Sequence, residues 1–264
     1  MTSDATFPDQ AAPLAGGGQM PLLGFGTWQI KGSKARDSVG WALDAGYRHL
    51  DTATIYGNEK EVGAGLAASG VPRDDVFVTT KCPPSNAGKE LATLRTSLDL
   101  LGTDHVDLWL IHWPGGSAAD VDIWRAFVEA RDEKLARAIG VSNYSLDQVD
   151  QLTRETGVTP AVNQVEWSPL LFDRAVLEGH RERGVVLEGY SALRGGTLEH
   201  PVITGIADRL GRTAAQVIVR WHLQHRIVVI PKSTKPERIR ENADVDGFSL
   251  SAEDVAALDG LAGR

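Results

Sequence analysis

The polar residues best suited to chemistry in this chain sit just after short apolar runs. Asp51 follows YRHL, Lys81 follows VFVTT and His112 follows DLWLI. Asn143 follows AIGV, Gln164 ends AVNQ, Tyr190 and Ser191 follow VVLEG, and Lys232 follows IVVIP. A carboxylate, an ammonium and an imidazole, with Tyr56 five residues beyond Asp51, form a set that can hold and hand over a proton. Taken singly each has a plainer role: Asp51 as a helix cap, Tyr56 as a core-edge aromatic, Lys81 as a solvated charge, His112 as a histidine held by the backbone. Their shared position changes that weighting. A parallel barrel brings the C-terminal ends of all its strands to one face, so residues scattered along the sequence would meet there. The layout points to an enzyme.

The elements that must position them read as strand–helix repeats. Strands are expected at 22–28, 47–50, 76–80, 106–111, 138–141, 161–164, 185–190 and 227–230. Between them lie amphipathic stretches such as LATLRTSLDLL and VDIWRAFVEARDE, with apolar residues at helical spacing. The expected fold is an α/β protein, a (β/α)8 TIM barrel of one domain over 1–264, with a hairpin within 1–20 closing its bottom. The length of 264 residues suits such a barrel, which typically takes ~250. A doubly wound dinucleotide-binding sheet is the competing fold, and its glycine fingerprint is missing. Gly24-Phe25-Gly26 lacks the third glycine, and Gly16-Gly17-Gly18 precedes any strong strand.

A net charge of -8 argues against a nucleic-acid surface, so any polyanion must be met by a local basic cluster. The single cysteine, Cys82, excludes an internal disulfide and suits a reducing compartment. MTSDATFPDQAAPLAGGG has no basic start followed by an apolar run, and no stretch is apolar enough to span a membrane. The expectation is a cytoplasmic protein with no membrane and no nucleic-acid partner. His222 and His225 in HLQH have an i,i+3 spacing, but no third ligand is evident, so structural roles and no metal are expected.

The segment GYRHLDTATIYGNEKEVG resembles the first signature of the aldo-keto reductase family almost position for position. LGTDHVDLWLIHWP and AIGVSNY resemble its middle motifs, and IVVIPKSTKPERIRENADV its C-terminal one. The similarity runs from about Gly24 to Leu261. It implies reduction of a carbonyl by hydride from NADP(H), with Tyr56 as general acid, Lys81 lowering its pKa, Asp51 holding Lys81, and His112 orienting the carbonyl oxygen. A free tyrosine titrates near ~10, and a neighbouring ammonium favours phenolate.

By the same resemblance Ser142, Asn143 and Gln164 would hold the nicotinamide carboxamide, and Tyr190 would stack on the ring. Ser191 and Leu193 would line the pyrophosphate path. Lys232, Ser233 and Arg238 would hold the 2′-phosphate, with Glu241 and Asn242 near the adenine. Trp28, Ile55 and Trp113 would wall the pocket for a small-molecule carbonyl substrate. The flavour is that of bacterial members, including 2,5-diketo-gluconate and methylglyoxal or general aldehyde reductases, commonly monomers. Departures from the pattern are Cys82-Pro83-Pro84 after the lysine, Ala192 for a usual proline, Arg194 for a common glycine, and a short tail after the last helix, which implies an open pocket. Two other readings stand beside this one: a Schiff-base aldolase using Lys81, and a slow-turnover NADPH-sensing subunit.

Overall fold

The apolar runs become parallel strands in the computed structural model, which describes residues 10–263. An antiparallel hairpin comes first, β1 Ala11–Pro13 with β2 Gln19–Pro21. The first half of the barrel is then β3 Phe25–Gly26, α1 Ser33–Asp44, β4 His49–Asp51, α2 Glu59–Ser69, β5 Phe77–Cys82, α3 Glu90–Leu101, β6 Val106–Ile111 and α4 Ser117–Asp132. The second half is β7 Ala136–Ser142, α5 Leu146–Thr156, β8 Val162–Glu166, α6 Arg174–Glu182, β9 Val186–Tyr190, α7 Pro201–Leu210, α8 Ala214–Gln224 and β10 Val228–Val229. Two helices follow, α9 Pro236–Ala243 and α10 Ala252–Asp259.

Strands β3 to β10 lie side by side in chain order, each pair parallel. The sheet closes on itself where Val229 donates to the Leu22 carbonyl (2.8 Å) and Gly24 donates to the Val229 carbonyl (2.9 Å). This seam demands glycine: a Cβ on Gly26 would stand 2.7 Å from the Ile230 carbonyl oxygen. Every residue of VDLWLI in β6 is buried, as expected for a strand covered on one face by helices and on the other by the barrel interior. The ten residues of α7 were not anticipated as a separate element. Pro201 at its first position and the His200 ring accepting from the Val202 N–H start that helix.

The hairpin bears out the reading of a closed bottom. Met20 and Leu22 are fully buried in one apolar cluster with Leu108, Ala138 and Val228. The part of that expectation falling on residues 1–9 lies outside the described residues. Among the described residues no helix is long and apolar enough to cross a membrane.

Candidate active site

Parallel register delivers Asp51 and Lys81 to the same rim, from β4 and β5. Lys81 is fully buried, and its Nζ donates to both oxygens of Asp51 at 2.7 Å and to the Thr52 carbonyl at 2.9 Å. Gln164 reaches across from β8 and donates to Asp51 Oδ2 at 2.9 Å. Burial works against the lysine's charge, but the Asp51 carboxylate outweighs it and holds the ammonium above its usual pKa. A buried charge without such a partner would cost several kcal/mol, on the order of the measured penalties for broken pairs.

Tyr56 stands on a single 3-10 turn, Thr54–Tyr56, just past β4. Its ring centroid is 5.1 Å from the Lys81 ammonium and 5.7 Å from the His112 ring, which it meets edge-on. Here the electrostatics differ from the expectation of a lowered phenol. Burial pushes the Tyr56 pKa up, Asp51 and Glu188 add to that, and Lys81 pulls it down by less. The phenol is therefore protonated at neutral pH, with a cation beside it.

His112 follows β6, stacked on Trp113 with ring centroids 3.8 Å apart. Burial, then the Lys81 charge, lowers its pKa to about 3, so the ring is neutral. Its Nδ1 is buried without a protein partner, so the plainer role of a histidine held by a backbone bond does not apply to that atom. Asp120 shapes the loop that carries His112, accepting from the Gly115 N–H (2.6 Å) and the Tyr144 hydroxyl (2.9 Å).

A groove of about 820 Å³ runs along the rim from these residues. Near Tyr56 and His112 its wall is a chain of polar side chains. Tyr190 donates its hydroxyl to Asn143 Oδ1 (2.8 Å), Asn143 Nδ2 reaches Ser142 Oγ (3.1 Å), and Ser142 Oγ donates to the Gln164 carbonyl (2.8 Å). Asn143 and Ser191 both hold positive φ, 64° and 58°, a conformation that costs energy outside glycine. Ser191, Leu193, Lys232, Ser233, Arg238, Glu241 and Asn242 line the same groove. Among the described residues neither Lys232 nor Arg238 has an ion pair, and no shielding carboxylate is bonded to either. Two unpaired cations and the Asn143 and Gln164 amides on one groove suit an anionic, hydrogen-bonding ligand.

Trp28 and Trp113 line the opening, and the Arg194 guanidinium lies 5.0 Å over the Trp28 ring. Ile55, about half exposed, is not among the residues that line this groove. Gln29, Glu166, Leu198 and the start of α8 at Thr213 also line the groove and were missed. Thr213 did carry a signal, since Thr-Ala-Ala-Gln is a capping box, formed here with Gln216, and fixes where that helix begins. His222 bonds the Ile218 carbonyl (2.8 Å) and His225 bonds Asp259 (2.7 Å), so both have structural partners.

A sequence model of the Aldo/keto reductase family matches residues 22–262. An aldo-keto reductase of Mycolicibacterium vanbaalenii is 46% identical over 265 residues, covering 99% of this chain and 94% of its own. A 9,11-endoperoxide prostaglandin H2 reductase of Trypanosoma cruzi is 43% identical over 250 residues, covering 92% and 88%. Among solved structures, an aldo/keto reductase from Brucella melitensis superposes with a TM-score of 0.91 at 42% identity, over 95% of this chain and 98% of that one.

Proposed function

As the chain belongs to the aldo/keto reductase family, whose members are oxidoreductases acting on carbonyl compounds, we propose that it reduces aldehydes and ketones to alcohols with NADPH, using Tyr56 as proton donor. The observation that carries this reading is the protonated Tyr56 phenol set between the Lys81 ammonium, 5.1 Å from its ring, and the neutral His112 ring at the end of one groove. Residues 1–264 are read as one domain with this activity.

NADPH, when bound, supplies the hydride. Lys232, Ser233 and Arg238 would hold its 2′-phosphate, Glu241 and Asn242 its adenine end, and Ser191 with Leu193 the stretch between. Ser142, Asn143 and Gln164 would fix the carboxamide, with Tyr190 against the ring. Asn143 is already oriented by the Tyr190 hydroxyl. The substrate oxygen then sits between Tyr56 and His112. As the carbonyl carbon gains hydride, negative charge grows on that oxygen and the Tyr56 O–H bond breaks toward it. The phenolate left behind faces Lys81, whose charge Asp51 secures. A neutral His112 can donate one hydrogen bond to the oxygen without competing as an acid.

The Schiff-base alternative requires Lys81 as a free, neutral amine. Its three bonds to Asp51 and Thr52, and a pKa held above the ordinary value, argue against that.

Tyr56→Phe tests the reading. It keeps the ring and removes the transferable proton, so kcat for aldehyde reduction, followed by NADPH absorbance, should fall ~10²–10⁴-fold or more while NADPH still binds. A folded, NADPH-binding Tyr56→Phe protein with near wild-type turnover would overturn it.

A further inference from the structure

The barrel interior holds a second acid that proton transfer to the substrate does not use. Glu188, in β9, is fully buried, and neither of its carboxyl oxygens has a hydrogen-bond partner among the described residues. In register it lies beside Gln164 on β8 and Val228 on β10. The groups facing it are few. From β4 come His49 and Asp51, from β5 Lys81, from β8 Gln164, and from the turn after β4 Tyr56, while its register partner on β10 is the apolar Val228.

No cation among them is free to pair with a carboxylate at Glu188, and the Gln164 amide, already bonded to Asp51, offers at most a weaker neutral donor. The Lys81 ammonium already has both Asp51 oxygens and the Thr52 carbonyl. His49 Nε2 is 3.8 Å from Glu188 Oε1 but 3.1 Å from the Thr79 hydroxyl, its nearer partner. An unpaired, unsolvated carboxylate is so costly that such a group takes up a proton instead.

We propose, resting on the reading of Tyr56 as the acid, that Glu188 is a positioning residue of charge: held as the neutral acid, it keeps the buried Asp51–Lys81–Tyr56 cluster free of excess negative charge. While Glu188 is neutral, one carboxylate and one ammonium balance, and the phenolate forming on Tyr56 has the full field of Lys81. When Glu188 loses its proton, the cluster carries an added negative charge and the phenolate becomes harder to form. Burial, then the Asp51 charge, raises the Glu188 carboxyl to about 8, with Gln164 and Lys81 pulling it back, so this loss falls on the alkaline side of neutrality. Ionised Glu188 in turn pushes the Tyr56 phenol up.

Infrared difference spectroscopy and pH profiles of wild type and Glu188→Gln test this. Wild type should show the C=O stretch of a protonated carboxyl near neutral pH, fading at alkaline pH, and Glu188→Gln should lack that band at every pH. In aldehyde reduction, the fall in kcat between pH 7 and pH 9 should be about threefold to tenfold shallower in Glu188→Gln, since each unit past a titration changes the active fraction about tenfold. Glu188→Met, apolar and similar in length, should behave the same way if the amide variant does not fold. No protonated band attributable to Glu188 at neutral pH, or superimposable pH profiles, would overturn the proposal. An active Tyr56→Phe protein would instead remove the reading it rests on and leave the infrared result intact, so the two failures are distinct.

Discussion

At the scale of single residues, cofactor choice turns on Arg238. Its guanidinium lines the groove and has no ion pair among the described residues. If it holds a 2′-phosphate, Arg238→Ala removes a charge-assisted bond of ~1.5–3 kcal/mol and should weaken NADPH binding by roughly one to two orders of magnitude. NADH binding, titrated by the quenching of tryptophan fluorescence, should barely change; equal losses for both cofactors would refute the assignment. Lys81→Met should lower kcat by a similar ~10²–10⁴-fold to the loss of the phenol itself, because the phenolate loses its neighbouring cation. The location of Lys81 was legible because it follows an apolar run, which a parallel barrel turns into a place on the rim, whereas Arg238, six residues past Lys232, rested on the resemblance. Glu188 was not legible. Within VVLEGY it reads as an ordinary polar residue of a strand, and only closure of the barrel shows that it faces Asp51 and Lys81 rather than water.

At the scale of elements, close approach between helices sets the spacing of the strands they follow. Helix α2 meets α3 at Gly63, where a Cβ would stand 2.3 Å from the Leu101 carbonyl oxygen. Backbone, unlike the end of a flexible side chain, cannot swing aside. Gly63→Ala should therefore destabilise the fold by ~1–3 kcal/mol through overpacking, despite alanine's better helix propensity. Urea midpoints should drop while kcat stays near wild type, because Gly63 lies outside the groove; a stability gain would show that the helices separate freely. The longer strands were readable because runs such as VDLWLI have no polar interruption apart from Asp107, whose carboxylate binds Arg73 (2.8 Å) and Arg137 (3.0 Å) at the barrel bottom. The closing strands β3 and β10 are two residues each, so their pairing depends on Gly24 and Gly26 more than on periodicity. The facing of Ile55 was not legible for a related reason. Neither the period of a helix nor that of a strand applies across a three-residue turn.

At the scale of the whole molecule, buried histidines tie stability to pH in a definite direction. Burial lowers His49 to about 3, with Lys81 adding to the effect, and lowers His222 to about 4. Both are neutral in the folded protein near pH 7, whereas in the unfolded chain they take up a proton near ~6.5. Their contribution is therefore fully present above ~6.5 and is lost as pH falls toward their folded values. Glu188 has the opposite sign: its carboxyl is raised, so its contribution is complete below the ordinary glutamate value and is lost as pH rises through about 8. Stability should then be greatest on the mildly acidic side of neutrality and decline both ways. His222 offers the cleanest test, since it lies in α8 and does not line the groove. Its Nδ1 bonds the Ile218 carbonyl and its Nε2 is buried without a partner, so His222→Gln sacrifices little beyond one hydrogen bond. Wild type should be the more stable near pH 7. By pH 4 it should have lost ~3 kcal/mol more than the variant, from about two units of differential protonation, so the urea midpoints should converge or cross. Parallel midpoints from pH 7 to pH 4 would show that His222 titrates as freely in the folded barrel as in the unfolded chain, and that its burial among α8 and β9 places no burden on its charge.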